Sequence, residues 1–281
     1  MAQGAGQGFR LGAGTEQIMS EYEILAIRYA HNAERRAAEN FLGGDPHDGP
    51  MPMDFFVWVL KGGGQTIVID TGFDADMAKR RARKLTRPVA EGLKAAGIDA
   101  AGVKDVILTH MHYDHAGNHD LFPNAKYHVQ DREMEYCTGR CMCHSTLRHP
   151  FEAEDVTAMV QKLFQGRVTF HNGSSEIADG VSVHLVGGHS RGLQFVRVRT
   201  RRGWVVVASD ASHYYANFEQ YRPFPVVVDV SETLEGYDAM RRMATSLSHI
   251  VPGHDPLVLQ RYPAQPGGPA DIIRLDAGPL K

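Results

Sequence analysis

Within six residues, His110-Met111-His112-Tyr113-Asp114-His115, the chain carries four side chains able to bind a divalent metal. Neutral imidazole nitrogens suit Zn²⁺, and a carboxylate adds a harder oxygen donor. Alternate residues of an extended segment point the same way, so His110 and His112 can grip one ion. Asp114 and His115, beyond the end of that segment, can turn towards a second. The bland alternative is a polar loop that happens to be rich in histidine. Four donors placed directly after the apolar run Val106-Ile107-Leu108 weigh against it. Three separate residues extend the set: His189 in Val186-Gly187-Gly188-His189-Ser190, Asp210 after Trp204–Ser209, and His254 after Ser248–Gly253. Any one of them alone reads as a turn or core residue. Together they complete two coordination spheres, and two metals held side by side are suited to hydrolysis.

Each of these polar residues lies just past an apolar stretch, where a strand delivers it to a loop at the rim of a sheet. Such loops are where a rigid scaffold presents its chemistry. Short apolar-rich segments predict strands over Tyr22–Tyr29, Asp54–Leu60, Thr66–Ile69, Ala125–Val129, Arg167–Phe170, Val181–Val186, Leu193–Thr200 and Trp204–Ala208. A helix is expected over Asp76–Ala96, kinked at Pro88, with Lys79–Lys84 as its solvated face. A second is expected over Glu232–Thr245, capped by Ser231. Strand-rich blocks separated by helices imply two sheets packed together with helices outside. No linker splits the chain, so residues 19–281 read as a single domain. Residues 1–18, rich in Gly and Gln, read as a flexible extension.

The order His-x-His-x-Asp-His, then His189, Asp210 and His254, resembles the metallo-β-lactamase superfamily. Gly188 and Gly253 immediately before two of the ligands fit that pattern, as does Ile69-Asp70-Thr71-Gly72. The resemblance runs from about residue 20 to near the end of the chain. Asp210-Ala211-Ser212 and the later Asn217-Phe218-Glu219 are most similar to the dinuclear zinc N-acyl-homoserine lactonases. The fold this implies is α+β, an αββα sandwich of two mixed β-sheets flanked by helices, with metals at one edge between the sheets.

Carried over residue by residue, the resemblance gives His110, His112 and His189 to a first Zn²⁺. It gives Asp114, His115 and His254 to a second, with Asp210 bridging both. The implied reaction is opening of a lactone ring, most of all that of an N-acyl-homoserine lactone, by a metal-bridging hydroxide. Asp114 would also orient the nucleophile or carry a proton to the leaving group. One departure stands out. Typical acyl-homoserine lactonases place a Tyr three residues beyond the bridging Asp to polarise the lactone carbonyl, and here that residue is His213, followed by Tyr214 and Tyr215. Three readings are open: His213 donates to the carbonyl oxygen, a local shift brings Tyr214 inward, or His213 only lines the cleft while the metals polarise.

Substrate signals are fewer. Met51, Met53, Phe55 and Phe56 form either an apolar pocket wall or, with Trp58, alternating core residues. Arg191 reads as a surface residue or as a partner for an anionic substrate group. The segment from Asp131 to Phe164 falls where related lactonases carry helices beside the cleft. Its Cys137, Cys141 and Cys143 lack a structural zinc spacing and read as free thiols.

Competing functions are weaker on specific grounds. A thioesterase resembling glyoxalase II would add a basic C-terminal helical domain, whereas 27 residues, rich in Pro and Gly, follow His254 here. A phosphodiesterase or nuclease would favour a basic face, and the net charge is −3. A redox di-iron relative would replace His112 by a carboxylate, and a non-catalytic scaffold would lose ligands. No apolar run reaches the ~20 residues that cross a bilayer, and an apolar signal core is absent from the N-terminus. These features predict a cytoplasmic enzyme, monomer or homodimer, acting on a small lactone or ester without nucleic-acid or membrane partners.

Overall fold

The computed structural model describes residues 19–280; the extension expected over residues 1–18 lies outside them. Thirteen strands are formed among the described residues: β1 Tyr22–Asn32, β2 Met53–Gly62, β3 Gln65–Ile69, β4 Lys84–Leu85, β5 Asp105–Ile107, β6 Lys126–Gln130, β7 Val168–His171, β8 Ser174–Ala178, β9 Val181–Leu185, β10 Gln194–Thr200, β11 Gly203–Ser209, β12 Ile250–Pro252 and β13 Ile272–Arg274. The first sheet has the order β13-β1-β2-β3-β5-β6-β7, with β4 on β1; the second is β12-β11-β10-β9-β8. Both are mixed, because β3, β5, β6 and β7 run parallel and β12 joins an otherwise antiparallel sheet parallel to β11.

Strand β2, Met-Asp-Phe-Phe-Val-Trp-Val-Leu-Lys-Gly, explains the layering. Its first eight residues are buried, so both faces are covered. Phe55, Val57 and Val59 join one cluster with Leu93, Met134 and Met159 from helices on the outer face. Phe56, Trp58 and Leu60 point the other way, into a cluster with Phe195, Val205 and Val207 of the second sheet. The period of two along a strand divides one segment between two cores. Tyr237 and Met240, on a helix packed outside the second sheet, belong to that second cluster. The result is an αββα sandwich. Among the described residues, no helix is long and apolar enough to cross a membrane.

The helices are α1 Ala75–Arg80, α2 Val89–Ala95, α3 Tyr113–Ala116, α4 Asp131–Cys137, α5 Ser145–Arg148, α6 Ala153–Phe164, α7 Tyr215–Glu219, α8 Val230–Met243 and α9 Leu257–Arg261. The kinked helix expected over Asp76–Ala96 is instead two helices separated by β4. Ala82 takes φ +51 and reverses the chain after α1, and Pro88, with φ −56, stands immediately before α2, a place where its missing N–H costs nothing. The cap of α8 is Asp229, not Ser231; its carboxylate accepts from Glu232 N at 2.9 Å. Strands β4, β8 and β13 escaped the sequence reading, because β4 and β13 are only two and three residues long and β8 is largely polar.

Helix α6 buries a carboxyl with no partner. Asp155 is 6% exposed, and its Oδ2 accepts no hydrogen bond. Burial, and then Glu152, Glu154 and Asp74, push it up to about 7. Between pH 4 and 7 the folded state therefore holds a proton that the unfolded state has released, so this group lowers stability as pH rises through that window. Asp155→Asn is expected to gain about 2 kcal/mol over wild type at pH 8 and little at pH 4, roughly half of what three pK units convert to. Urea melts at the two pH values test this; an equal effect at both would remove the assignment.

Candidate metal centre

Five strands feed one rim. In the second sheet β9 is antiparallel to β10, β10 to β11, and β11 is parallel to β12, so β9, β11 and β12 all run the same way. They end before His189, Asp210 and His254. In the first sheet β3 and β5 are parallel and end before Asp70 and before His110–His115. His112 is extended (φ −69, ψ 153) and starts the single turn α3, which swings Asp114 and His115 towards the same point. Two glycines allow the approach. A Cβ on Gly188, at φ +79, would lie 2.7 Å from Thr233 N, and one on Gly253 would lie 2.7 Å from the Ser209 carbonyl carbon.

The side chains gather in two groups, and Asp210, His213 and His254 form a third that overlaps both. His110, His112, His189 and Asp210 each offer a ligand atom within 4.8 Å of the others, as do Asp114, His115 and His254. Asp210 faces both. Its Oδ2 lies 3.1 Å from His189 Nε2 and 3.8 Å from His110 Nε2, while its Oδ1 lies 2.9 Å from His254 Nε2 and 3.2 Å from His115 Nε2. Asp114 Oδ2 is 3.7 Å from His115 Nε2 and 3.8 Å from His254 Nε2. All seven residues are buried.

These atoms fit metal ions better than they fit one another. His110 Nε2, His115 Nε2, His189 Nε2 and Asp210 Oδ1 are buried without a hydrogen-bond partner, a costly arrangement unless something else receives their lone pairs. The opposite ring nitrogens are fixed. His115 Nδ1 donates to Asp70 Oδ2 at 2.7 Å, His189 Nδ1 to the Val226 carbonyl at 2.5 Å, and His254 Nδ1 to the Asp54 carbonyl at 2.8 Å. Such bonds set the tautomer that leaves Nε2 free to coordinate.

Electrostatics divide the imidazoles: at His115 and His254 burial is outweighed by Asp210 and Asp114, which push both above their usual range. Burial, reinforced by neighbouring imidazoles, holds His110 and His112 well below the usual imidazole range, so both are neutral donors. Burial opposes a charge on Asp210, but His254, His115 and His213 outweigh it and keep the carboxyl ionised far below its ordinary range.

Two carboxylates outside these His/Asp groups hold the loops. Asp70, at φ +60, accepts from Thr109 N at 2.7 Å and Thr109 Oγ1 at 2.8 Å in addition to His115. Glu133 of α4 accepts from Met111 N at 2.8 Å, Gly192 N at 2.9 Å and Ser190 Oγ at 2.5 Å, tying the loop of His110–His115 to that of His189. Sequence reasoning placed Asp70 only within a motif and missed Glu133, whose helix neighbours give no sign of a buried acid.

The centre opens into a cleft of about 840 Å³. His213 lines it: Nε2 donates to Asp210 Oδ2 at 3.0 Å, and the ring stacks on Phe224 at 3.5 Å and 10°. Burial pushes this imidazole well below its usual range despite the pull of Asp210. Tyr214 is turned away, with its hydroxyl on the Pro52 carbonyl at 3.2 Å, which corrects the alternative that it swings inward. Met53 and Phe55 line the cleft, whereas Phe56 and Trp58 are core. Tyr136, Leu147 and Pro150 bring the 131–164 segment to its edge. Cys137 is buried, Cys141 half-buried and Cys143 exposed, all three free thiols. Arg191 is exposed and sits over the Tyr136 ring, outside the cleft. Of the residues expected as a solvated helix face, Lys79, Arg80 and Lys84 are exposed while Arg81 and Arg83 are half-buried, and Arg80, Arg81 and Arg83 border the cleft.

A sandwich with a two-cluster His/Asp site at one rim defines the class. Residues 56–254 match the profile of the metallo-beta-lactamase superfamily, and the chain belongs to that superfamily. It is 27% identical over 188 residues to the N-acyl homoserine lactonase AttM of Azorhizobium caulinodans, covering 62% of this chain and 66% of that protein. It is 30% identical over 135 residues to the N-acyl homoserine lactonase AiiA of Bacillus thuringiensis subsp. kurstaki, covering 47% and 48%. The matched region thus spans about two thirds of the first relative and about half of the second. An N-acyl homoserine lactone hydrolase solved with the product N-hexanoyl-L-homoserine at its catalytic metal centre superposes with a TM-score of 0.70 at 21% identity, covering 89% of this chain and 99% of that one. That likeness establishes the metallo-β-lactamase fold.

Proposed function

We propose that this protein is a dinuclear metal hydrolase that opens a lactone ring, with N-acyl-homoserine lactones, the substrates named for its relatives, as the first class to test. The observation that carries the reading is Asp210, whose two oxygens face separate groups of imidazole nitrogens. His110, His112 and His189 would hold one ion, Asp114, His115 and His254 the other, and Asp210 both. Imidazole-rich donors with few carboxylates suit Zn²⁺. When bound, a metal pair supplies Lewis acidity and a water acidified towards neutral pH. Because the ligands come from both sheets, we take residues 19–281 as one folding unit. Three free thiols suit a reducing compartment such as the cytoplasm.

The chain's own residues do the rest. The apolar wall at Met53, Phe55 and Val226–Val228 seats the substrate and excludes bulk water. His213, neutral, holds its single N–H on Asp210 Oδ2 in the absence of substrate; once Asp210 binds metal, that N–H would be redirected to the carbonyl oxygen as negative charge develops there. Asp114, which also lines the cleft, takes the proton released by the attacking water and passes it to the departing ring alkoxide. Water adds across the acyl C–O bond, giving a hydroxy acid and one released proton.

The test is metal content by mass spectrometry, followed by proton release on N-hexanoyl-homoserine lactone. Two zinc ions per chain and a kcat/KM of about 10⁴ M⁻¹s⁻¹ or more are expected; a protein with full metal that leaves lactones intact would sink the reading. His213→Phe is expected to lower kcat about tenfold with KM little changed, less than the ~100-fold or greater loss of a sole oxyanion donor. An unchanged kcat would reduce His213 to a lining residue.

A further inference from the structure

Four arginines border the cleft, Arg35, Arg80, Arg81 and Arg83, and they are not equivalent. Arg81 lies 2.5 Å from Glu152 Oε1, while Arg80 lies 3.5 Å from Glu152 Oε2 and 3.6 Å from Glu154 Oε1. Arg35 and Arg83 form no ion pair among the described residues, although both are half-buried. Each is anchored by neutral acceptors instead. Arg83 Nε donates to the Tyr113 hydroxyl at 3.2 Å. Arg35 donates from Nε to Asn40 Oδ1 and from Nη2 to the Glu39 carbonyl at 3.1 Å. These bonds orient each guanidinium, and Arg83 also lies 6.0 Å over the Phe55 ring, yet among the described residues both terminal nitrogens of Arg83 and one of Arg35 have no hydrogen-bond acceptor. A half-buried charge normally finds a partner.

Two further observations make this a built feature. Ala82 holds φ +51, a conformation that a residue with a Cβ adopts only at a cost, and the reversal it produces brings Arg83 to the cleft alongside Arg81. Tyr113, which anchors Arg83, stands between the proposed ligands His112 and Asp114, so the guanidinium is tied to the turn that carries the chemistry. The acidic side chains lining the cleft are Asp114 and Asp210, committed to the metal centre, and Glu152, paired with Arg80 and Arg81. The wall at Arg83 and Arg35 therefore carries uncompensated positive charge.

We infer that the substrate opened at this centre carries an anionic group, a carboxylate in the simplest case, away from its scissile ester, and that Arg83 and Arg35 receive it. Planar guanidinium forks match carboxylate oxygens in geometry and charge. The inference rests on the hydrolase reading above and names the kind of substrate that reading left open.

A matched pair of probes tests it: N-hexanoyl-homoserine lactone and N-adipoyl-homoserine lactone, which differ by a terminal methyl against a terminal carboxylate. With the zinc-loaded full chain, kcat/KM is measured for each lactone, and calorimetry gives the Kd of each ring-opened product. The carboxylate member is expected to be favoured about tenfold or more in both measurements, as for a charge-assisted contact, and the preference should shrink with added salt. Arg83→Met and Arg35→Met should each erase most of the ratio, whereas Arg80→Met, which removes an arginine already paired, should leave it. Equal treatment of the two probes by the wild-type protein overturns the inference whether or not the variants fold. If both lactones open at equal rates, the lactonase reading stands and this one falls. If neither opens but the carboxylate product binds preferentially through Arg83, anion recognition stands and the lactonase reading falls. If neither opens and neither product is preferred, both fall.

Discussion

Asp210→Ala is expected to retain at most one zinc per chain and to lose lactone turnover by on the order of 10³-fold or more. The size follows from what this carboxylate does in the geometry. One oxygen serves the His110/His112/His189 group and the other the Asp114/His115/His254 group, so its removal strips a donor from both. Metal-assisted charge stabilisation is worth several kcal/mol, and each ~1.4 kcal/mol is tenfold in rate. Zinc stoichiometry after gel filtration and kcat/KM on the best lactone are the readouts, with circular dichroism to verify folding. A linked effect should appear in thermal melts. Zinc at a thousandfold excess over its Kd raises wild-type stability by about 4 kcal/mol, and the variant should gain much less. Two bound zinc ions together with undiminished turnover in Asp210→Ala would be incompatible with a shared carboxylate.

Asp70→Ala carries the second large effect, and here the loss is of structure as much as of metal. Asp70 is fully buried and accepts from Thr109 N, Thr109 Oγ1, His115 Nδ1 and Ser209 Oγ. Truncation strands these donors in a dry interior at about 1–3 kcal/mol for each that finds no water. It also places alanine at φ +60, a conformation aspartate tolerates better. A destabilisation of about 3–5 kcal/mol is expected, with zinc affinity lower by roughly 10–100-fold through the freed His115 ring. Urea denaturation of the metal-free protein separates the first effect from the second, which chelator competition measures. Stability within ~1 kcal/mol of wild type, with unchanged zinc affinity, would mean that Asp70 does not organise this rim.

The two residues differ in how far the sequence reveals them. Asp210 could be picked out from its place after an apolar strand and from the family order His-x-His-x-Asp-His, His189, Asp210, His254. Asp70 could be picked out only as part of a motif, because nothing local says that its carboxylate meets the backbone of Thr109 and the ring of His115. Glu133 gave no signal at all. Its three partners lie on two loops, 22, 57 and 59 residues away, and contact across such separations is set by the sheets that intervene. The arginines of 80–83 show the opposite failure. Their charge run has the pattern of a solvated helix face, and only the reversal at Ala82 and the packing of Glu152 against Arg81 turn them to the cleft.

What the sequence by itself determined is therefore the local chemistry. Donor types suited to divalent metal, their spacing across one strand end, the continuous apolar run that buries both faces of β2, and a His at position 213 followed by two tyrosines are all properties of neighbouring residues. Only the tertiary structure decided which oxygen of Asp210 faces which group, that His213 and not Tyr214 reaches the centre, that Asp70 and Glu133 hold the ligand loops, and that Arg35 and Arg83 stand unpaired beside it. The reason is physical. Side-chain direction along a strand follows from backbone geometry at short range, whereas burial, hydrogen-bond partners and field at a point depend on segments far apart in the chain, such as His254 and Asp54, 200 residues apart, which are brought together by the packing of the sandwich.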